Sequence, residues 1–283
     1  MLANKIYKNL EKNFIKTGLK DNWFVYMKEI SDYISDDFKK RSMGLVCDFT
    51  KEINQVYTAV FPSRLVMKKI LDNNVSEALL FVHHPSTWDI RKAPNIFQIM
   101  DKDLLEKFKK QKISIYNLHV PLDNFSKYST SFTLAKNLSL KFVKIFGEYN
   151  GAMCGVIARS SFNSVSDLKK IFKEKLGHKV SLYNYGKDSI ENNLVALIAG
   201  GGNDVELLKE IKKENINTFI TGITVLNDHS RLAHNYAKEN KINILGGSHY
   251  STEKFACIEM IKYFNKLGLK AEFIEDKPLL ADI

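Results

Sequence analysis

Along the chain, short apolar runs alternate with longer stretches in which apolar residues recur every three or four positions. The runs predict buried strands and the recurring spacing predicts amphipathic helices. Residues 1–40 read as two helices, with Trp23, Met27, Ile30 and Ile34 forming a core stripe at helical spacing. Ile53 to Val60 predicts a strand. Pro62-Ser63 opens a helix to about Leu71, which Asn73-Asn74 ends, and Ala78 to Val82 predicts the next strand. Strand, helix, strand is a βαβ unit, which implies a parallel sheet buried on both faces. Asp103 to Lys110 is a charged amphipathic helix, Ile113 to Val120 a strand, and Pro121-Leu-Asp-Asn124 a turn.

The middle of the chain continues the mixture. Leu134, Leu138 and Phe142 predict a helix, and Gly151 to Ile157 a strand carrying two glycines. Ser164 reads as the cap of a helix with Asp167 in its first turn and Gly177 at its end. Val180 to Tyr185 and Leu194 to Ala199 predict strands. Gly200-Gly-Gly202 then opens a helix from Asp204 to Lys213. That turn reads as a phosphate cradle or as a simple tight turn; no G-x-G-x-x-G and no G-K-[ST] accompanies it, so the phosphate signal is weak. Thr218 to Gly222 and Ile242 to Leu245 are strands separated by a helix from Asp228 to Glu239, with His234 half-exposed inside it. A long helix ends near Gly268. The sum is an α/β chain in which strands and helices alternate.

At 283 residues with 45% hydrophobic positions, the chain can bury a large core and is expected to form two domains. No apolar run of 18 residues exists, so no membrane-spanning helix is expected. The N-terminus lacks a signal-peptide core. Cys47, Cys154 and Cys257 are odd in number and never paired as C-x-x-C, which excludes a thiolate zinc knuckle and predicts a reducing, cytoplasmic setting. The formal charge of +10 is a weak nucleic-acid signal. Only five of the 42 basic residues are arginine (Arg41, Arg64, Arg91, Arg159 and Arg231), and the lysines are scattered along helices. A solvated lysine face explains the charge, which would also attract anionic small molecules.

Candidate chemistry gathers where strands end. His83 and His84 follow the run Ala78 to Val82, and Pro85 stops the strand. Open α/β sheets bind ligands beyond the carboxyl ends of their strands. His119 and Asp123 flank Pro121 just after the next strand, and His249 and Glu253 are four apart where a strand turns into the last long helix. Each has a plain alternative: backbone-bonded imidazoles, a turn aspartate, and a glutamate meeting the helix dipole behind a Ser251 or Thr252 cap. The remaining histidines, His178, His229 and His234, read as surface or helix residues. Imidazole and carboxylate without thiolate suits iron, zinc, manganese or cobalt. The two oxygens of Glu253 suit a bridge between two ions, with a hydroxide shared between them.

Together these stretches resemble the Nif-three-like dinuclear metal-centre family, whose members are also named GTP cyclohydrolase 1 type 2 homologues. The resemblance rests on His83-His84-Pro85, on His119-x-x-x-Asp123, on Gly247-Ser-His-Tyr-Ser-Thr-Glu253 and on Phe219-Ile-Thr-Gly222, with Gly151 to Gly155 fitting loosely, and it runs from about Met43 to the C-terminus. It implies two α/β domains with mixed, largely parallel sheets flanked by helices: a metal-site domain built from both chain ends (1–130 and 222–283) and an inserted second domain (131–221), in a toroidal homohexamer with its metals facing an inner cavity. The implied ligands of two divalent ions (iron, zinc or manganese) are His83, His84, Asp123, His249 and Glu253. His119 stands beside them as the candidate catalytic proton carrier. The implied activity is metal-dependent hydrolysis of a nucleotide-like or phosphorylated small molecule. A non-enzymatic metal scaffold, or a ring engaging nucleic acid or protein, is the alternative. The chain departs from the family pattern at Ile223 and Asn227, and at Phe125-Ser-Lys-Tyr128.

Overall fold

A computed structural model of the chain describes residues 1–228 and 230–283. His229, expected at the surface or in a helix, lies outside the described residues. The strands in chain order are β1 (Gly44–Cys47), β2 (Gln55–Ala59), β3 (Ala78–Val82), β4 (Thr87–Trp88), β5 (Phe97–Gln98), β6 (Ile113–Asn117) and β7 (Lys141–Tyr149). They continue with β8 (Ala152–Arg159), β9 (Ser181–Tyr183), β10 (Leu194–Ile198), β11 (Thr218–Thr221), β12 (Asn243–Gly246) and β13 (Lys270–Phe273).

Two compact units result. The first comprises Met1–Leu122, Asn150–Ala152 and Cys257–Lys277; the second comprises Asp123–Tyr149, Met153–Ala256 and Pro278–Ile283. The sequence reading returned the chain to the first domain at residue 222. The structure keeps it in the second unit to Ala256, because β11 pairs in parallel register with β12, Thr218 opposite Asn243.

The first unit is built on a sheet of order β1-β6-β3-β2-β13. All its pairings are parallel except β1 with β6. β3 sits at the centre and all five of its residues are buried, as an apolar run without alternation predicts. On one face Leu80, Val82 and Ile115 pack with Val66, Met67 and Ile70 of the helix Arg64–Asp72 and with Leu104, Leu105 and Phe108 of the helix Lys102–Lys110. On the other, Phe81 meets the edge of Phe264 with ring centroids 5.5 Å apart. Each such side chain contributes roughly 1.5–3 kcal/mol by leaving water. Ser63 caps its helix by accepting from the Val66 N–H at 3.2 Å.

The N-terminal segment differs from expectation. Ala3–Phe14 is a helix, but Trp23–Tyr26 and Lys28–Tyr33 are 3-10 turns, followed by a short helix Asp36–Arg41. Trp23, Met27, Ile30 and Ile34 are buried in the core as expected, carried on those turns rather than on one α-helix.

The second unit contains a sheet of order β7-β8-β10-β11-β12-β9, mixed in direction. β10 pairs parallel with β11 and β11 with β12, whereas β8 and β9 run antiparallel to their partners β10 and β12. Leu168, Phe172 and Leu176 of the helix Val165–Leu176 cover one side with Leu134 and Leu138. Ser164 and Gly177 terminate that helix as read from the sequence, the serine accepting from the Asp167 N–H and the glycine adopting φ +77°. The helix expected through Phe142 ends at Asn137, and Phe142 belongs to β7.

His234 is buried, not half-exposed. Its Nε2–H donates to the Thr224 carbonyl at 3.0 Å, and Nδ1 accepts from the Tyr185 hydroxyl at 3.0 Å. Both ring nitrogens are satisfied in the neutral state, so burial is tolerated. Burial holds its pKa below the ordinary histidine value. A depressed pKa means that the unfolded chain binds the proton more readily. The stabilisation is therefore fully present above about pH 6.5 and is lost as the pH falls below that toward the folded-state pKa. Thermal melts from pH 7.5 to 5.5 are expected to show falling stability, with a flatter profile in His234→Gln; an identical slope in that variant would remove His234 as the cause.

Candidate metal centre

The parallel pairing of β3 with β6 sets Val82 opposite Asn117. Histidines follow just beyond the carboxyl ends of both strands: His83 and His84 directly after β3, and His119 two residues after β6. His83 and His84 still donate their backbone N–H groups to Ala59 and Val60 carbonyls at 3.2 and 2.9 Å, which fixes the chain as it exits. Asn117 donates its side-chain N–H to the His83 carbonyl. Leu118 donates its N–H to the Val82 carbonyl at 3.1 Å, placing His119 beside the pair.

The three imidazoles converge. Ring centroids are 4.4 Å apart for His83–His84, 4.7 Å for His84–His119 and 5.3 Å for His83–His119. One nitrogen from each ring lies within 4.8 Å of the others, a grouping that fits a metal ion. His83 is 0% exposed and His84 3%, and the His119 side chain 12%. Phe61 stacks on His84 at 4.9 Å, and Trp23 presents its ring edgewise to His84 at 5.5 Å and to His119 at 5.1 Å. The aromatic wall keeps the rings in a low-dielectric surrounding and limits their rotamers.

In the second unit, His249 and Glu253 lie on the first turns of the helix His249–Lys266, with Nε2 and Oε1 3.1 Å apart. The cap is Ser248, not Ser251 or Thr252: its hydroxyl accepts from the Ser251 N–H at 3.1 Å and its carbonyl from Thr252 at 3.1 Å. Glu253 therefore sits one turn deeper than the sequence reading placed it. The Asp282 carboxylate accepts the His249 N–H at 2.9 Å, a favourable anion at a helix N-terminus.

The glycine-rich turn Gly200-Gly-Gly202 now has a use. A Cβ on Gly200 would lie 2.2 Å from Glu253 Oε1, and Gly200 holds φ +73°. Its N–H donates to Thr252 Oγ1 at 2.9 Å. This is a close-approach turn that shapes the surroundings of Glu253. Asp123 ends the helical turn Val120–Asp123 and accepts a 2.7 Å hydrogen bond from Thr130 Oγ1. Asn227 accepts from the Ser230 N–H at 3.1 Å, shaping the turn into the helix Arg231–Glu239, and Phe125 stacks on Phe142 at 4.8 Å.

The donors fit a borderline divalent ion: buried imidazoles with carboxylate oxygens and no thiolate suit zinc or iron. The first unit gathers His83, His84 and His119, and the second pairs His249 with Glu253. Sequence reasoning missed Asp21, Trp23, Thr130 and Asp282, which contact these residues from elsewhere in the chain.

Residues 26–278 match the family model described as Duf34/NIF3 (NGG1p interacting factor 3). A Borreliella burgdorferi protein named GTP cyclohydrolase 1 type 2 homolog is 30% identical over 233 residues, covering 81% of this chain and 86% of its own length. A Pyrococcus horikoshii protein of the same name is 27% identical over 244 residues, 84% and 90% of the two chains. Among solved structures, a protein ybgI described as of unknown function superposes with a TM-score of 0.75 at 18% identity, covering 99% of this chain and 100% of its own. Reduced HcgD from Methanocaldococcus jannaschii gives 0.66 at 21%, covering 98% of each chain. The fold is thus shared at low identity, and the match over residues 26–278 shows that the chain belongs to the Duf34/NIF3 family.

Proposed function

We propose that this protein binds two divalent metal ions per chain and hydrolyses a nucleotide-like or phosphorylated small molecule. The observation that carries the reading is the convergence of buried imidazoles at the carboxyl edge of a parallel sheet. The proposed ligands are His83, His84, Asp123, His249 and Glu253. When bound, such ions polarise substrate oxygens and make water a nucleophile near neutral pH. The chain's own part is to hold the donors dry and preorganised. Phe61 and Trp23 wall the imidazoles, Thr130 orients Asp123, and Gly200 leaves room for Glu253.

The name carried by the relatives supports opening of a purine ring as the reaction. The test is turnover of a panel of nucleotides by metal-loaded protein with and without chelator. Chelator-sensitive release of a hydrolysed product supports the reading; inertness across the panel with metal bound favours the scaffold alternative.

The same reading makes the protein a homohexamer of the cytoplasm. Among the described residues no helix is long and apolar enough to cross a membrane, and all three cysteines are buried and form no disulfide. β7 is an edge strand on which Val143 (41% exposed) and Ile145 (37%) face solvent, a surface that monomers usually blunt. Val143→Lys with Ile145→Lys is expected to lower the mass measured by light scattering while leaving the melting profile cooperative; an unchanged mass would remove β7 from the interface. Binding of single-stranded nucleic acid is expected to be weak and sequence-blind. Sub-micromolar affinity at physiological salt would overturn that expectation.

A further inference from the structure

We infer that Tyr26, Trp88 and Phe97 form a shelf that stacks the flat base of a nucleotide beside the proposed metal centre. The inference rests on the reading above and names the substrate class within it. All three residues belong to the first unit. The short strands β4 and β5 make an antiparallel hairpin that follows His83-His84-Pro85, with Trp88 directly opposite Phe97. Opposite residues of an antiparallel pair project from the same face, and these two rings meet edgewise with centroids 5.7 Å apart. Tyr26 ends the 3-10 turn Trp23–Tyr26 and brings its ring to 4.9 Å from Phe97. Trp23 packs against both, 4.8 Å from Phe97 and 6.2 Å from Tyr26. The same Trp23 ring meets His84 at 5.5 Å, so the shelf begins one ring beyond a proposed ligand.

Exposure and ring geometry favour a planar occupant. Trp23 is 5% exposed and anchors the group in the core, whereas Tyr26 is 52% exposed and Trp88 and Phe97 are half-buried. Contiguous aromatic surface left to solvent marks a binding site. Both tryptophans of the chain are in this one cluster. Tyr26 meets Phe97 at 49°, and Trp23 and Trp88 stand at 77° and 64° to it, so Phe97 is stacked on none of the three. Rings tilted in this way hold one another in place, and face-on stacking is what a bound base adds. Stacking covers the face of a base and leaves its edge open, so the shelf suits attack on the ring as well as on the phosphate.

Charge selects an anionic occupant over a second copy of the chain. Arg91 and Lys92 lie in the turn Ile90–Lys92 between β4 and β5, and both are exposed. Asp89 accepts from Arg91 at 2.8 and 2.9 Å and offsets that charge. Lys92 donates to the neutral Gln98 Oε1 at 2.9 Å and keeps its own. A cation beside exposed rings fits a base that carries phosphate. A second copy, with its formal charge of +10, would bring like charge to the same place.

The test uses the two tryptophans as reporters, since intrinsic fluorescence of the full chain comes from this cluster alone. The protein, with and without Zn2+, is titrated with GMP, AMP and ribose 5-phosphate. Saturable quenching by GMP or AMP, and none by ribose 5-phosphate, is expected. Tyr26→Ala is expected to raise the Kd for the nucleotide by about 5–100-fold, the usual size of one lost base–ring stack, and Tyr26→Phe to restore it. Trp88→Leu, read through Trp23, should weaken binding to a similar extent. An equal response to GMP and ribose 5-phosphate overturns the inference, as does an unchanged Kd in both Tyr26→Ala and Trp88→Leu. A lower mass by light scattering in Tyr26→Ala with nucleotide affinity intact also overturns it and gives the shelf to a second copy. Uptake of Zn2+ without any nucleotide quenching removes the shelf and leaves the metal reading standing. Nucleotide quenching in a protein that takes up no divalent ion does the reverse. The wild-type titration needs no variant, so a variant that does not fold leaves the inference open to refutation.

Discussion

Glu253→Ala is expected to empty the protein of metal, from about two divalent ions per chain to well below one. The carboxylate is 3% exposed and lies 3.1 Å from His249 Nε2, so it is held in place before any ion arrives. It is one of two carboxylates among the five proposed ligands, and in the proposed site it would serve both ions as the bridge. Loss of a bridging oxygen pair should cost more than the roughly 10–100-fold that follows loss of an outer hydrogen-bond partner. Asp123→Ala should instead lower the content to about one ion, because Asp123 is assigned to a single position. Elemental analysis of dialysed protein reads both outcomes directly. Full occupancy in Glu253→Ala would end the bridging role. Equal loss in the two variants would show that neither carboxylate is special. Melting curves taken alongside exclude the trivial explanation, since the variant leaves buried His249 without its carboxylate neighbour.

How far the sequence reveals this protein differs from residue to residue. β3 is legible because five consecutive apolar residues with no polar alternation fit a strand buried on both faces, and the histidines that end it are legible for the same reason. β7 is not. Its first five residues are exposed, so the two-residue alternation that betrays a half-buried strand is absent, and Phe142 falls by chance at helical spacing from Leu134 and Leu138. β1 and β13 are four residues each at the margins of the sheet, too short to rise above their surroundings. In the N-terminal segment the spacing of Trp23, Met27, Ile30 and Ile34 is met as well by successive 3-10 turns, and Ile30 departs from helical angles (φ −111°, ψ 20°). A list of apolar positions does not distinguish the two.

The site shows the same divide. Residues that bear the donor atoms announce themselves by type and by their place at strand ends. Residues that aim them do not: Asp21 reaches His119 across 98 positions and Asp282 reaches His249 across 33. Nothing local marks either carboxylate as buried, and an aspartate beside an asparagine or near a chain end ordinarily reads as a surface residue. Gly200 and Gly222 lie between these cases. Their presence is visible, but the reason for it, the close approach of the helix that carries Glu253, exists only in the folded second unit.

Gly222→Ala should therefore destabilise the protein strongly, where Gly177→Ala should not. A Cβ on Gly222 would lie 2.5 Å from Thr252 Oγ1, 2.6 Å from the Gly200 carbonyl oxygen and 3.0 Å from the His249 Cα. Two of those three atoms are backbone, so no rotamer change relieves the clash, and the helix that starts at His249 must move. Overpacking of this kind costs about 1–3 kcal/mol and occasionally more. For units of this size each kcal/mol lowers Tm by roughly 2–4 °C. A drop of about 5–10 °C is expected, with metal affinity falling in parallel, because the displaced backbone carries His249 and Glu253. Gly177 is the contrast. It ends its helix at φ +77°, yet a Cβ there meets nothing within 4 Å. Its substitution costs only left-handed backbone strain, about 1–2 kcal/mol, and the added Cβ touches neither His249 nor Glu253. Gly177→Ala should lower Tm by a few degrees and leave metal affinity unchanged. Equal Tm shifts with metal affinity intact in both variants would show that the contact of Gly222 with Gly200 and His249 does not position the helix that carries His249 and Glu253.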